Sequence, residues 1–403
     1  MRRILPPAIG LALTLGCSLF EDPPPPPAPP PPPPPAAPIV ASRAIATRAA
    51  FDLVTGPAGT FLAWGVPAAE GGGVRIVELG PGGAARGTET DIARGSAAAP
   101  GAIEQAPTQV FELAAGTSGD HLAVAWSVIV LGELRAEAAY AATPPHFAAP
   151  VDLGAMEPGA SGRGNLVVAA LHDGELFVEH RTLVGPCHDA TAGMAECSTF
   201  ARTRIPEGDA LRGDGPSEIP GPCAPLLAGS VGGGAGASDP WFYAVCHGGE
   251  TPTTTMFVIN PDPESQYAAA AELLAGCTPV SVARAENGAV LRARCGDDEA
   301  FARLDTQGRV THELRHAVLE PRCEGGRPIL AAHEGDVRVE RPLTESDGRI
   351  EAWLPGSIAP DGSRAVWTGE SVLVATPIGP EGSRAVSVRR FQCERAALVR
   401  TDR

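Results

Sequence analysis

The feature that most constrains this chain is an almost unbroken proline run over residues 23–38, interrupted only by Ala28, Ala36 and Ala37. Proline has no backbone N–H and a fixed φ, so such a run builds neither helix nor sheet and settles into polyproline II. At ~3.1 Å per residue it predicts a semi-rigid spacer of roughly 50 Å. Folding is therefore expected only after this stalk.

Residues 1–16 have the organisation of a secretory signal peptide. Arg2 and Arg3 give a cationic start, and an apolar run from Ile4 to Leu15 ends at Gly16. About a dozen apolar residues are fewer than the ~20 that a membrane-spanning helix needs. The run therefore predicts a cleaved signal and not a spanning anchor.

Leu13-Thr14-Leu15-Gly16-Cys17 resembles the lipobox of bacterial lipoproteins, in which the cysteine becomes the lipidated first residue. Thr14 stands where that pattern usually has leucine, and the alternative is an ordinary signal peptide with a chance cysteine. The resemblance implies a fatty-acylated (palmitate-bearing) Cys17 and a membrane anchor. Ser18 is not the aspartate associated with inner-membrane retention, so the expected location is the outer membrane, on its periplasmic or surface face.

The cysteine count agrees with lipidation. The chain has nine cysteines, and assigning Cys17 to a thioether leaves an even set that can pair in an oxidising compartment. Eight cysteines allow about 105 pairings, so sequence does not fix the connectivity. Neighbour pairing is the working hypothesis because the first three pairs could each cross-link one hairpin. It predicts the disulfides Cys187–Cys197, Cys223–Cys246, Cys277–Cys295 and Cys323–Cys393.

Charge and composition exclude several classes of function. The formal net charge is −16, which disfavours nucleic acid and direct adhesion to anionic lipid, since both favour basic patches. The chain contains no lysine. It therefore lacks the amine needed for a Schiff base, a P-loop or a Ser–Lys dyad.

Residues 50–393 consist largely of short apolar runs separated by Gly, Pro and Asp, the pattern of a β-rich domain. Helical periodicity is confined to Tyr267–Leu274, predicted as one or two turns. A turn followed by an apolar strand recurs at spacings of about fifty residues, which suits propeller blades. Trp64, Trp126 and Trp367 end such strands and are predicted core residues. The clearest copies are Gly56–Trp64, Ser118–Trp126, Ala359–Trp367 and Gly379–Val386, with weaker ones near Gly164, Asp239, Asn287 and Gly326.

The segment Ala359–Trp367 resembles the WD-like propeller repeat, whose hallmark is Ser-Pro-Asp-Gly before an apolar strand; Ala359 replaces the serine. The resemblance implies an all-β fold, a β-propeller of six or seven blades. The predicted organisation is a signal peptide (1–16), a lipidated N-terminus and linker (17–49), the propeller-like domain (50–393) and a C-terminal tail (394–403). Because Pro-Asp-Gly is a good turn between any two strands, a β-sandwich pair or an irregular β-solenoid is the alternative.

His312-Glu313-Leu314-Arg315-His316 matches the zincin pattern, in which two histidines one helical turn apart bind zinc and the glutamate acts as base. The local pattern is instead strand, turn and strand. Residues i and i+4 of a strand lie ~13 Å apart, too far to ligate one ion. Arg315 would also repel a metal. The histidines are therefore not assigned as ligands.

No other motif predicts a catalytic, cofactor or metal site. The histidines next to Cys187 and Cys246 fit disulfides with polar neighbours better than metal ligation. The tripeptide Arg212-Gly213-Asp214 is predicted to be a loop.

The sequence thus favours a lipid-anchored envelope protein that binds or scaffolds an unidentified envelope partner, without a cofactor. The enzymatic alternative is a zinc hydrolase or a carboxylate-based glycoside-acting propeller. A third possibility is a structural envelope protein with no discrete ligand.

Overall fold

The computed structural model describes residues 43–401, and these fall in one compact unit, Ala37–Arg403. Cys17 and the proline run lie outside the described residues. The internal gaps in the description are 95–108, 131, 158–164, 171–175, 186–196, 206–211, 221–226, 232–240, 249–252, 260–268, 286–287, 306–308, 343–348 and 381–383.

The described chain is built of antiparallel strands that pair in chain order. After β1 (Arg43–Ala44), sheets 1 to 5 have four strands each. Sheet 1 contains β2 (Phe51–Gly56), β3 (Gly59–Gly65), β4 (Gly73–Leu79) and β5 (Ala85–Arg94), and sheet 2 contains β6 (Val110–Ser118), β7 (His121–Val130), β8 (Glu133–Ala141) and β9 (Val151–Ala155). Sheet 3 contains β10 (Leu166–Ala170), β11 (Leu176–Gly185), β12 (Cys197–Ile205) and β13 (Arg212–Pro220), and sheet 4 contains β14 (Leu227–Val231), β15 (Trp241–Gly248), β16 (Thr253–Ile259) and β17 (Ala269–Leu273). Sheet 5 contains β18 (Thr278–Ala285), β19 (Gly288–Cys295), β20 (Asp298–Leu304) and β21 (Val310–Leu314).

Sheet 6 is composite. Its strands are β22 (Val318–Glu324), β23 (Arg327–Glu334), β24 (Val337–Pro342), β25 (Arg364–Trp367), β26 (Val372–Ile378), β27 (Ala385–Glu394) and β28 (Ala397–Arg400), and β1 pairs with β27. A single residue pair, Arg322↔Ala397, joins β22–β24 to β25–β28 in the ladder. Short 3-10 turns occur at Ala68–Glu70 and Glu351–Trp353.

The core lies between the faces of neighbouring sheets, where strands such as β2, β3, β7 and β19 bury most of their residues. The predicted core tryptophans are confirmed: Trp64, Trp126 and Trp367 are all buried. Trp64 packs in a cluster shared by sheets 1 and 6, and Trp126 in one shared by sheets 1 and 2. Apolar contact between sheets is therefore what stabilises the unit.

The first strands of the four-stranded sheets contact one another in sequence. β2 contacts β6, β6 contacts β10, β10 contacts β14 and β14 contacts β18. The turn Glu351–Trp353 contacts both β18 and β25, and β25 contacts β2. The series of contacts returns to sheet 1, so the first and last sheets meet at a seam.

Two local predictions are wrong. The segment predicted as helix, Tyr267–Leu274, contains strand β17, which pairs with β16. The tripeptide Arg212-Gly213-Asp214, predicted as a loop, begins β13, and Gly213 pairs with Thr203. In both places pairing with a neighbouring strand overrides the local preference.

The repeated sequence unit does not occupy one position. It precedes the second strand of a hairpin at β3, β7, β15, β19 and β23, but the copy near Gly164 leads into β10, Ala359–Trp367 into β25 and Gly379–Val386 into β27. Turn residues suit any hairpin, which explains the mixture. The strands also extend past the predicted domain limits at residues 50 and 393, since β1 and β28 both pair with β27.

Within the described residues, no helix is long and apolar enough to cross a membrane.

Candidate functional site: the carboxylate–arginine cluster at Asp52

Asp52, the second residue of β2, is a fully buried carboxylate. A buried charge is tolerated only when it is paired and hydrogen-bonded. Its Oδ1 accepts the N–H of Leu53 at 2.9 Å, and its Oδ2 accepts the N–H of Ala115 in β6 at 2.8 Å. Asp52 therefore connects sheet 1 to sheet 2.

Two arginines connect the same carboxylate to sheet 6. Arg349 Nη2 donates to Asp52 Oδ2, and Arg364 Nε lies 3.3 Å from Asp52 Oδ1. Arg364 begins β25, and Arg349 forms an isolated β-bridge with Val366 of that strand. The side chains of Arg349 and Arg364 are 26% and 14% exposed, so the cluster reaches the surface through its arginines.

Glu351 completes the cluster. It is fully buried in the turn Glu351–Trp353, where its Oε1 lies 3.3 Å from Arg364 Nη1 and its Oε2 accepts the N–H of Ala365 at 3.2 Å. Two carboxylates and two guanidinium groups give a neutral cluster. Each carboxylate accepts backbone N–H groups and faces arginine, an arrangement that fixes the seam.

Glu112 plays the corresponding part between sheets 2 and 3. Its Oε1 accepts the N–H of Asn165 and of Leu166, at 3.2 and 3.3 Å, and its Oε2 accepts Asn165 Nδ2 at 3.1 Å. Glu112 is buried in β6, near the beginning of that strand as Asp52 is in β2. The two carboxylates each bond the first strand of the next sheet.

A glycine stands four residues after each of these acids. A Cβ on Gly56 would lie 2.5 Å from Thr117 Oγ1, and one on Gly116 would lie 2.8 Å from Val168 Cγ1. Because glycine has no side chain, Thr117 and Val168, from the first strand of the next sheet, can pack directly against the backbone of Gly56 and Gly116. The sequences Asp52-Leu-Val-Thr-Gly56 and Glu112-Leu-Ala-Ala-Gly116 share an acidic residue followed four positions later by glycine, a signal that turn residues and tryptophans do not reveal.

In sheet 5 the buried charged side chain is a cation, Arg292, which donates to backbone carbonyl groups instead of accepting backbone N–H groups. Arg292 of β19 is buried, its Nη2 donates to Ala359 O at 2.9 Å and its Nη1 donates to Leu354 O. Burial lowers the pKa of the Arg292 guanidinium from its usual value, with Glu299 the largest opposing influence. Glu299 accepts the N–H of Gly356 at 2.9 Å. Both residues hold the segment that precedes β25.

The zincin-like motif is divided between a strand and the segment that follows it, so the strand prediction holds only for its first part. His312 and Glu313 are in β21, and His316 follows in a turn. His316 Nδ1 lies 2.8 Å from Asp298 Oδ2, whereas His312 Nδ1 lies 3.3 Å from Thr311 Oγ1. The two histidines thus have separate partners. Groups of three or more His, Cys, Asp or Glu that could hold a metal are absent from the residues that the structure describes.

Two of the predicted disulfides are present, Cys277–Cys295 and Cys323–Cys393. In the first disulfide, Cys277 directly precedes β18 and Cys295 is the last residue of β19, so the bridge closes this hairpin. The second disulfide joins β22 to β27. The predicted pairs Cys187–Cys197 and Cys223–Cys246 lie outside the described residues, because only the backbone of Cys197 and Cys246 is described. Cys17 lies outside them as well.

No protein-family model and no curated protein matches the chain. Solved structures similar to it include BBS1N in complex with ARL6DN, at 11% identity over 88% of this chain and 93% of the other, with a TM-score of 0.34. Drosophila Semaphorin 1b, extracellular domains 1-2, is 9% identical over 87% of each chain, with a TM-score of 0.39. Scores this low support no argument about fold or function.

Proposed function

We propose that this chain is a lipid-anchored protein of the bacterial cell envelope whose β-rich domain binds or scaffolds a partner. The signal-like residues 1–16, the lipobox-like Cys17 and the proline stalk support the anchor. The observation that carries the proposal is in the sequence, where a lipobox-like cysteine and a proline run precede the β-rich domain. The first described strand of that domain, β1, pairs with β27 of sheet 6.

The domain is proposed to be a β-propeller of six or seven blades. The contacts of the first strands, which return from β25 to β2, support a radial arrangement of sheets. Counting the composite sheet once gives six blades, and counting β22–β24 separately gives seven. A radial framework suits a binding role, because it holds its surface loops on rigid strands.

The buried charges also favour binding over catalysis. Asp52, Glu351 and Glu112 accept bonds from neighbouring strands, so these carboxylates hold sheets together. A glycoside-acting enzyme would instead need two carboxyl groups facing one cleft. The partner is proposed to be an envelope protein or surface ligand.

Fractionation tests the anchor. Cys17→Ser should move the protein from the membrane fraction to the soluble fraction, while Ser18→Ala, which keeps the cysteine, should leave it with the membrane. Mass spectrometry of the N-terminal peptide should detect the lipid on Cys17 of the parent protein. Unmodified Cys17 in a membrane-bound protein would refute the lipid anchor.

Photo-cross-linking in intact envelopes tests the binding role. Amine reagents are unsuitable because the chain has no lysine. Photo-reactive residues are best placed at the exposed positions Val318, Val337, Ile129 and Ile378. A partner captured reproducibly from positions in one sheet, and not from the others, supports a binding surface. Absence of capture from all positions would refute it and direct attention to zinc, measured by elemental analysis of the parent and of His316→Ala.

A further inference from the structure

The two ends of sheet 6 have different surroundings. At one end β25 contacts β2, so sheet 1 lies beside it. At the other end β24 pairs with β23 alone, and no other segment that the structure describes forms a backbone hydrogen bond with it. Such a strand presents N–H and C=O groups that can bind another strand. We call its residues, Val337–Pro342, the β24 edge.

The turn before β24 determines which backbone groups point outward. The turn Gly335-Asp336 has a left-handed glycine, at φ 57°, and it is flanked by Glu334 and Val337, which are opposite each other in the ladder. In a two-residue hairpin the flanking residues exchange both hydrogen bonds, and bonded pairs then alternate along the ladder. The groups of Val337 are therefore directed at β23, whereas those of Arg338 and Glu340 are directed outward.

The same two residues carry opposite charges on the solvent face of the strand. The side chains of Arg338 and Glu340 are 39% and 48% exposed and form an ion pair with each other. Arg322 of β22 lies 2.9 Å from the same oxygen of Glu340, so the carboxylate is held on this face. Val339, between them, is buried in the core. Pro342 has no N–H and ends the edge.

This order of charges makes the edge complementary to itself. Two copies can pair antiparallel about a two-fold axis centred on Arg338, on Val339 or on Glu340. With the axis at Val339, the outward groups of Arg338 in each copy bond those of Glu340 in the other, and the two side chains attract. An axis at Arg338 or at Glu340 places like charges directly opposite each other, which is destabilising.

We propose that the β24 edge is a self-association surface, at which two copies of this chain pair antiparallel with Arg338 of each opposite Glu340 of the other. A second copy is the partner because a two-fold interface requires a surface that is complementary to itself. Few residues of each chain take part, so the dimer is expected to be weak. The proposal does not depend on lipid at Cys17 or on an envelope partner, and its failure would leave the proposed function standing.

Small-angle X-ray scattering on the full chain tests the proposal. A Cys17→Ser background ensures that a lipid cannot itself cause association. Because small contacts bind weakly, the concentration series should extend to about 1 mM. The chain should show a monomer–dimer equilibrium that weakens as salt is raised. A chain that stays monomeric over this range would overturn the proposal.

Two charge reversals in the same background form a matched pair. Arg338→Glu makes the facing positions both acidic, and Glu340→Arg makes them both basic. Each variant alone should dimerise about tenfold more weakly, since both facing pairs change from attraction to repulsion. An equal mixture of the two variants brings opposite charges together again and should restore dimerisation, which also shows that both variants fold. Undiminished dimerisation of either variant alone, or a mixture that stays monomeric, would overturn the proposal.

Hydrogen–deuterium exchange identifies the edge that is used. The peptide covering residues 336–342 should exchange several-fold more slowly at high protein concentration than at low concentration. The control is β21 (Val310–Leu314), the last strand of sheet 5, whose exchange should not depend on concentration. Concentration-dependent protection at β21 or at another edge, and not at β24, would contradict the proposed surface.

Discussion

The two ends of the described domain are held together by different means. Residues 43–186 contain no cysteine, and their junctions are built on the buried carboxylates of Asp52 and Glu112, which accept backbone N–H groups from the next sheet. Residues 277–400 contain the disulfides Cys277–Cys295 and Cys323–Cys393. One part relies on polar contacts between adjoining first strands, and the other adds covalent links.

The difference follows the continuity of the sheets. At the first two junctions a glycine lets consecutive first strands approach closely, so a carboxylate can span the gap. In sheet 6 the ladder between β22 and β28 is a single residue pair, and the Cys323–Cys393 disulfide joins β22 to β27 beside it. The Cys323–Cys393 disulfide therefore lies where backbone pairing is thinnest, whereas Cys277–Cys295 closes a hairpin that is paired along its length. Among the described residues, both disulfides lie in the C-terminal part, so the stability of that part is expected to depend on oxidation.

The largest effect is expected at Asp52. Asp52→Ala would leave two arginines and the Ala115 N–H without their shared acceptor, and removing one partner of a buried ion pair costs about 3–5 kcal/mol. Urea unfolding should show that loss in the free energy of unfolding. Asp91→Ala, which breaks an exposed pair with Arg75, should cost less than about 1 kcal/mol. Equal effects would refute the role of Asp52.

Removal of the Cys323–Cys393 disulfide should be next in size. The cysteines are 70 residues apart, and loss of that cross-link from the unfolded chain costs about 4 kcal/mol by loop entropy. The double variant Cys323→Ala, Cys393→Ala should therefore lose exchange protection mainly in β22–β24. Protection lost equally in sheets 1 and 2 would contradict the division into two parts.

Acid should weaken the cysteine-free part through His180. This side chain follows Leu176 and Val178 on one face of β11, where both pack against sheet 2, and it is almost fully buried. Burial lowers the pKa of His180 from 6.5 to about 4, with Asp152 opposing. The unfolded chain therefore takes up a proton at a higher pH than the folded chain does. The contribution of neutral His180 to the free energy of unfolding is therefore fully present above pH 6.5. It is lost as the pH falls toward 4, and the free energy of unfolding decreases by about 3 kcal/mol.

His180→Leu should flatten that part of the curve of unfolding free energy against pH. His316→Ala is the control, because His316 is exposed. A curve that keeps the parent slope in His180→Leu would assign the acid sensitivity to other groups.

The smallest effect is expected for the ion pair between Arg43 of β1 and Glu89 of β5. Arg43 Nε lies 2.6 Å from Glu89 Oε1, and both side chains are about a quarter to a third exposed. Glu89→Ala should cost less than about 1 kcal/mol, and the cost should shrink in high salt. A larger, salt-independent loss would show that this side chain, and not the backbone hydrogen bonds of residues 44–50, holds residues 43–50 in place.

Much of the architecture could be predicted from local sequence. Turn residues and apolar runs identified the strands around Trp64 and Trp126, and spacing paired Cys277 with Cys295. The helix at Tyr267–Leu274 was mispredicted because its alanine-rich sequence is compatible with either structure, and pairing with β16 decides between them. The Asp52 cluster was not predicted because its members are almost 300 residues apart, and only the meeting of the first and last sheets brings them together.

The sequence by itself determined the β-rich character of the domain, the absence of lysine, the proline-rich run and the positions of the cysteines, since each depends on residue type and near neighbours. Only the tertiary structure decided that residues 43–50 reach three sheets, that Asp52 meets Arg349 and Arg364, and that β22–β24 joins the last sheet through one residue pair and a disulfide. These contacts join distant segments. Their free energy comes from burial and from hydrogen bonds that exist only once the sheets have packed.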